Sequence, residues 1–271
     1  MTSLENEVTT AEADWSAWRR AREDALAADF GWLSLTSFQR LGPEPRRLDE
    51  VPGLWRANGH GAALMARHED EFVLCDGGLD AVGELAKALD ERGQALWVKW
   101  TGGQHDVVVE LLRRDHRYLV RTREEGSVQQ QNFSGVPTYD YSPEWVLRGH
   151  FTAFAAPVPE RVATAHPKVE LTLHAAGEVG FRYRGAGYRL AAEATAQGLR
   201  IPFRDRTNGR TTPAWRYLDT PVPAPDGTVL LDFNRTLDYP FAFSAHTSCP
   251  APFQANRLQL AVEAGEKAPG S

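Results

Sequence analysis

The sequence predicts a mostly β protein, built as two β-sandwich or barrel-like lobes with a long N-terminal helix. Three observations carry that reading. From residue 53 onward, short apolar runs are separated by Asn-Gly, Asp-Gly-Gly and Gly-Gly turns, the signature of a β meander. One early stretch, 10–29, is rich in the helix formers Ala, Glu and Arg. The 271 residues are 42% hydrophobic and include eight Trp and twelve Phe, enough bulky material for a core in each lobe.

The helix is expected to start at Thr9, whose spacing to Glu12 is that of a capping box. Trp15, Trp18, Ala21, Ala25 and Leu26 would form its apolar face. Strands are predicted over 54–57, 62–67, 71–75, 95–100, 106–112 and 118–123, with a short helix over 80–92. A further strand covers 145–154. Pro157, Pro159 and Pro167 then break regular structure, which places a lobe boundary between residues 156 and 157. The second lobe has strands at 169–174, 178–184, 188–193, 229–233 and 258–262.

The net charge of −6 argues against a general nucleic-acid binder. No apolar run approaches the ~20 residues of a membrane span or resembles a signal peptide. With only Cys75 and Cys249, the chain reads as cytoplasmic with reduced thiols. Phosphate-binding loops, dinucleotide fingerprints, zinc motifs and nucleophile elbows do not occur. No cofactor and no metal site is therefore predicted; the oligomeric state is left open.

Polar chemistry concentrates between residues 203 and 266. Arg200, Arg204, Arg206, Arg210 and Arg216 surround the single acid Asp205, and guanidinium forks suit carboxylate or phosphate. Thr207-Asn208-Gly209 reads as a turn. Asp232 and Asn234 share one strand face, followed by Arg235. His246 and Cys249 could supply a base and a thiolate, and Asn256-Arg257 closes the series. The expected site thus has Asp232, His246 and Cys249 as candidate catalytic groups. Arg204, Asp205, Asn208, Asn234, Arg235, Asn256 and Arg257 would bind the ligand, with at least two of the three polar clusters lining one cleft.

Several motifs carry a family resemblance. They are Phe203-Arg204-Asp205, Thr207-Asn208-Gly209, Leu231-Asp232-Phe233-Asn234-Arg235, Ala242-Phe243-Ser244, Cys249-Pro250 and Asn256-Arg257-Leu258, with Gly31-Trp32-Leu33-Ser34 near the start. In order and spacing the chain resembles the mainly bacterial family catalogued as domain of unknown function 1684, which implies a region of interest but no reaction. Members usually have a second Cys where this chain has Phe241, and a Tyr where it has His246 or Thr212. The N-terminal half faintly resembles a forkhead-associated β-sandwich. It lacks that module's Gly-Ser-Asp loop after Gly42, so phosphothreonine binding is not expected. The leading functional expectation is a hydrolase-like enzyme or a binding protein for a small anionic ligand. The alternative is a protein-interaction module using Trp15, Trp18 and Trp32.

Overall fold

The computed structural model describes residues 3–270, and the side chains from residue 10 onward. It is mostly β, with three sheets and a long N-terminal helix; none of the sheets closes into a barrel among the described residues. No described helix is long and apolar enough to cross a membrane.

Helix α1 runs over Ser3–Ala27, seven residues longer at its start than the capping signal suggests. Thr9 therefore lies inside α1 rather than at its cap, and its side chain is outside the described set. No Gly or Pro interrupts the segment. The inward face is Trp15, Trp18, Arg22 and Leu26, spaced by three and four residues; Ala21 and Ala25 are exposed. The hydrophobic pattern misses Arg22 because its head is paired, 3.0 Å from Glu266, rather than solvated.

The first lobe is a sandwich. Strands β2 (Leu54–Ala57), β3 (Ala62–Ala66) and β5 (Gly83–Lys87) form a three-stranded sheet. It covers one of five strands, in the order β1 (Leu35–Arg40), β8 (Arg117–Glu124), β7 (Val107–Arg114), β6 (Gln94–Trp100) and β4 (Phe72–Leu74). Trp55, Phe72 and Trp97 meet edge-on at its centre, with Trp55 5.7 Å from Trp97. Residues 80–92 are not a helix. Gly83–Lys87 pairs along β3 and buries part of Leu85, so sheet pairing overrides local propensity.

The second lobe is one curved sheet of seven strands. In spatial order these are β14 (Thr228–Asp232), β9 (Val146–Ala163), β10 (Glu170–Tyr183), β11 (Ala186–Thr195), β12 (Gly198–Phe203), β13 (Arg216–Pro221) and β15 (Leu237–Asp238). Pro157 and Pro159 lie within β9. Strand β14 pairs only with Val146–His150, so the rest of β9 has β10 as its one neighbour, and an edge tolerates proline. The two strands predicted at 169–174 and 178–184 are one. The register against β9 slips between Ala175 and Gly177, a bulge that re-phases the strand without ending it. Strands β12 and β13 were not anticipated, and residues 258–262 are irregular. Leu258 and Val262 instead fill the inner face of the sheet with Phe181, Phe203 and Phe233.

The back face of the five-stranded sheet meets the second lobe. Leu112 and Leu119 pack on Val169, and Arg92 pairs with Glu193 at 3.1 Å. Helix α1 lies along the same junction. Its Trp15 Nε1 donates to the Asn234 carbonyl (2.8 Å), and Glu23 accepts from the Val136 N–H (3.1 Å).

Candidate functional site

Strand alternation sorts the first lobe's charges onto one face. Along β7, Val107, Val109 and Leu111 enter the sandwich core, so Glu110, Leu112 and Arg114 point the other way. Along β8, Tyr118 and Val120 enter the core, and Leu119, Arg121 and Arg123 share the back face with them. Glu110 stands directly opposite Arg121 in the ladder. One carboxylate oxygen, Glu110 Oε2, accepts from both Arg121 Nε and Arg123 Nε at 2.9 Å. Burial alone would raise this carboxyl, but Arg121 and Arg123 outweigh it and hold Glu110 below the usual carboxylate range. Arg121 Nη2 lies 2.9 Å from the same oxygen without the alignment to donate, so a buried N–H is left unsatisfied. The Trp32 ring covers both guanidinium groups, 4.9 and 5.2 Å away.

The same alternation works in the second lobe. Leu199, Ile201 and Phe203 of β12 fill its core, which leaves Arg200 on the opposite face. Glu193, Arg200 and Asp219 are ladder neighbours across β11, β12 and β13. Arg200 makes a two-pronged contact with Asp219 (2.8 and 2.7 Å) and lies 4.4 Å from the Tyr217 ring. The Tyr239 ring lies tilted beside Tyr217, with 4.5 Å between centroids. Burial pushes the Tyr217 phenol up to about 12 and raises that of Tyr239 as well, so both are neutral hydroxyls at physiological pH.

These two faces enclose a cleft of about 440 Å³, within the size range of small-molecule sites. Arg22 of α1, Arg114 and Arg121 line it on one side; Arg200, Tyr217 and Cys249 line it on the other. Arg114 donates to the Gly93 and Arg113 carbonyls and to Gln94 Oε1, all at 2.8 Å. It has no carboxylate within ion-pair distance among the described residues. Burial, then Arg121, push its guanidinium down to about 10.

Of the ten residues singled out from sequence, Cys249 alone lines this cleft. Arg204 and Arg257 are brought side by side by a parallel bridge, so two of the three polar clusters do meet. Their polar atoms are largely spent on the chain itself. Asn256 is buried and bonds the Ala191 N–H, the Ala191 carbonyl and the Pro202 carbonyl (2.7, 2.8 and 2.6 Å). Asp205 pairs with Arg216 at 2.9 Å, both side chains fully buried, and also accepts from the Thr207 N–H at 2.7 Å. Asn208 ties the turn by accepting from the Asp205 N–H and donating to Thr212 and Pro213. Arg204 lies 4.8 Å from the Trp215 ring.

The third cluster sits elsewhere. Asp232 accepts from Asn234 and from Arg235 Nε (3.1 Å), Asn234 exchanges two bonds with Ser142, and Arg235 lies 5.4 Å from the Trp18 ring of α1. The His246 N–H donates to Ser244 Oγ, and its side chain is half-buried. Trp15 is buried and Trp18 and Trp32 half-buried, so these rings serve the junction between α1 and the lobes. Among the described residues, no three His, Cys, Asp or Glu gather as a metal site.

Cys249 is 8% exposed and packs with Trp215, Tyr217 and Tyr239, and Phe241 packs on the same group. Burial raises the Cys249 thiol, which keeps it protonated at neutral pH. Cys249→Ala is therefore expected to cost about 1 kcal/mol of stability, and the wild-type thiol to react slowly with alkylating agents at pH 7. Denaturant titration of the variant and alkylation kinetics of the wild type check this. Rapid alkylation of Cys249 in the wild type at pH 7 would contradict it.

Beyond the geometry, the chain has recognisable relatives. A family profile described as "Protein of unknown function (DUF1684)" matches residues 131–267, a segment that carries Glu193, Arg200, Tyr217, Tyr239 and Cys249. No curated protein matches. A solution structure of an uncharacterized protein of Haloarcula marismortui is similar at 27% identity with a TM-score of 0.43, over 51% of this chain and 78% of that one. With more than half of its length matched by that profile, the chain belongs to the DUF1684 family.

Proposed function

We propose that this protein binds a small anionic molecule in the cleft between its two lobes. One observation carries the reading: the arginines that line the cleft outnumber the carboxylates available to them. Gathering guanidinium groups in a part-buried space is unfavourable unless something negative compensates them. Arg114 bears this most directly, with carbonyls and an amide as its partners. Binding is better supported than thiol catalysis, since the Cys249 thiol and both phenols are held in their neutral, hydrogen-bonding forms. Trp32, Tyr217 and Tyr239 give the cleft ring surfaces as well as charge.

The test is the thermal midpoint of the full chain in millimolar phenyl phosphate, benzoate or sulfate at constant ionic strength. A ligand at about 100 times its dissociation constant adds roughly 2.7 kcal/mol to stability by mass action. The wild type is expected to gain such a shift from at least phenyl phosphate, and Arg114→Met to lose most of it. A wild-type midpoint indifferent to all three anions would refute the proposal.

A further inference from the structure

We propose that the ligand of this cleft is a phosphate monoester of a small organic molecule, bound as its dianion; this rests on the anion-binding reading above and names the chemistry of that ligand. The charge balance of the walls supplies the valence. Arg22 is matched by Glu266, Arg92 by Glu193 and Arg200 by Asp219. Arg121 and Arg123 share the single carboxylate of Glu110. Arg114 has none among the described residues. Glu91, the nearest further acid acting on it, is held by Arg113 and His116. Asp238, beside Glu266, matches none of them: both its buried carboxyl oxygens lack a partner among the described residues, and burial and then Glu266 raise its pKa well above the usual carboxylate range. Five guanidinium groups line the cleft and Arg123 lies behind them; these six have four paired carboxylates, which leaves two without one of their own.

Both unmatched charges sit on the back face of β7 and β8. Arg121 is close enough to weaken the Arg114 cation. A single compact dianion can answer both at once, and the guanidinium fork fits the oxygens of a phosphate. A dicarboxylate divides the same charge between two separated groups.

The cleft is also too large for a bare ion. Its 440 Å³ would hold on the order of 15 waters at about 30 Å³ each. Besides the ion-paired Arg22, Arg92 and Arg200, the walls carry Leu171, Tyr217, Tyr239, Cys249 and Pro250. Neither phenol oxygen is hydrogen-bonded to another described residue, so both remain as donors. That wall suits an organic group carrying a few acceptors, with the phosphate at the arginine end.

The experiment compares phenyl phosphate with methyl phenyl phosphate, which has nearly the same shape but one charge, by calorimetric titration of the full chain at pH 8. The monoester is expected to bind about tenfold or more tighter. Lowering the pH from 8 to 5 should erase most of that advantage, because the second phosphate ionisation falls near pH 6. Phthalate, a dianion with its charge divided, should bind more weakly than phenyl phosphate.

Gln94→Glu locates the site with little risk to folding. It keeps the contact to Arg114 Nη2, now 2.8 Å from Gln94 Oε1, and supplies the missing carboxylate. The ligand-free midpoint should rise by about 2–4 °C. Monoester affinity should fall about tenfold, and diester affinity less. If monoester and diester bind equally, or phthalate matches phenyl phosphate, this inference fails while the anion reading stands. If Gln94→Glu leaves monoester affinity unchanged, the dianion does not sit at Arg114. If no ligand binds the wild type at all, it is the anion reading itself that fails.

Discussion

Asp205→Ala is expected to destabilise the protein by about 3–5 kcal/mol, because it strands a buried cation. Arg216 and Asp205 form an ion pair with both side chains at 0% exposure. The other Arg216 donors hold the carbonyls of Val262, Ala264 and Glu266 at 2.7–2.9 Å, which stitches the irregular C-terminal segment onto β13. Removing the carboxylate leaves that guanidinium without compensation and frees the Thr207 N–H and hydroxyl as well. For a domain stable by about 5–15 kcal/mol the loss is large. Urea denaturation should show a lower midpoint with an unchanged slope. The double variant Asp205→Ala with Arg216→Met should recover part of the loss, since the unmatched charge is then gone. A single variant within 1 kcal/mol of wild type would show that Arg216 has another source of compensation.

Asn256→Ala should cost about 3 kcal/mol or more. Its side chain ties an irregular loop to two strands: it completes the Ala191 N–H and carbonyl on β11 and the Pro202 carbonyl on β12. All three are backbone groups beside a fully buried residue, and each left without a partner costs about 1–3 kcal/mol. Asn256→Asp should be nearly as harmful, because it replaces two donors with acceptors and buries a charge. Hydrogen exchange at Ala191 offers a local readout. Protection there that survives the alanine substitution would mean that the strands hold each other without the amide.

Both residues belong to motifs that the sequence singles out as ligand-binding, and their geometry shows why such motifs are ambiguous. A buried Asn or Asp that completes backbone groups has the same residue type, loop context and neighbouring arginines as one that holds a ligand. The arginine-rich run 200–216 illustrates the same point. Arg200 lines the cleft, Arg216 is sealed in an ion pair, Arg204 lies near Trp215, and Arg206 and Arg210 are exposed. These five arginines are spread over β12, the connection after it and the start of β13, so they part company in space.

What the sequence by itself determined is local. The turn residues and period-two patterns between 54 and 123 mark strands because alternation and hairpin chemistry are properties of adjacent residues. The helix at the start is legible from composition in the same way. Cys249 is visible as chemistry wherever it lies. What only the tertiary structure decided is which faces of the sheets are covered. Arg114 and Arg121 follow Val-Val-Val-Glu-Leu-Leu and Tyr-Leu-Val, and in isolation they read as the solvent side of ordinary strands. They become the wall of a cleft because the second sheet and α1 close over that side, and Arg22 arrives on a helix face that looks merely polar. Hydrophobic periodicity records the residues that avoid water. It says nothing of which charged residues lose their water when a second layer docks, since that depends on residues more than 70 positions apart in the chain coming to line one space, as Arg121 and Arg200 do.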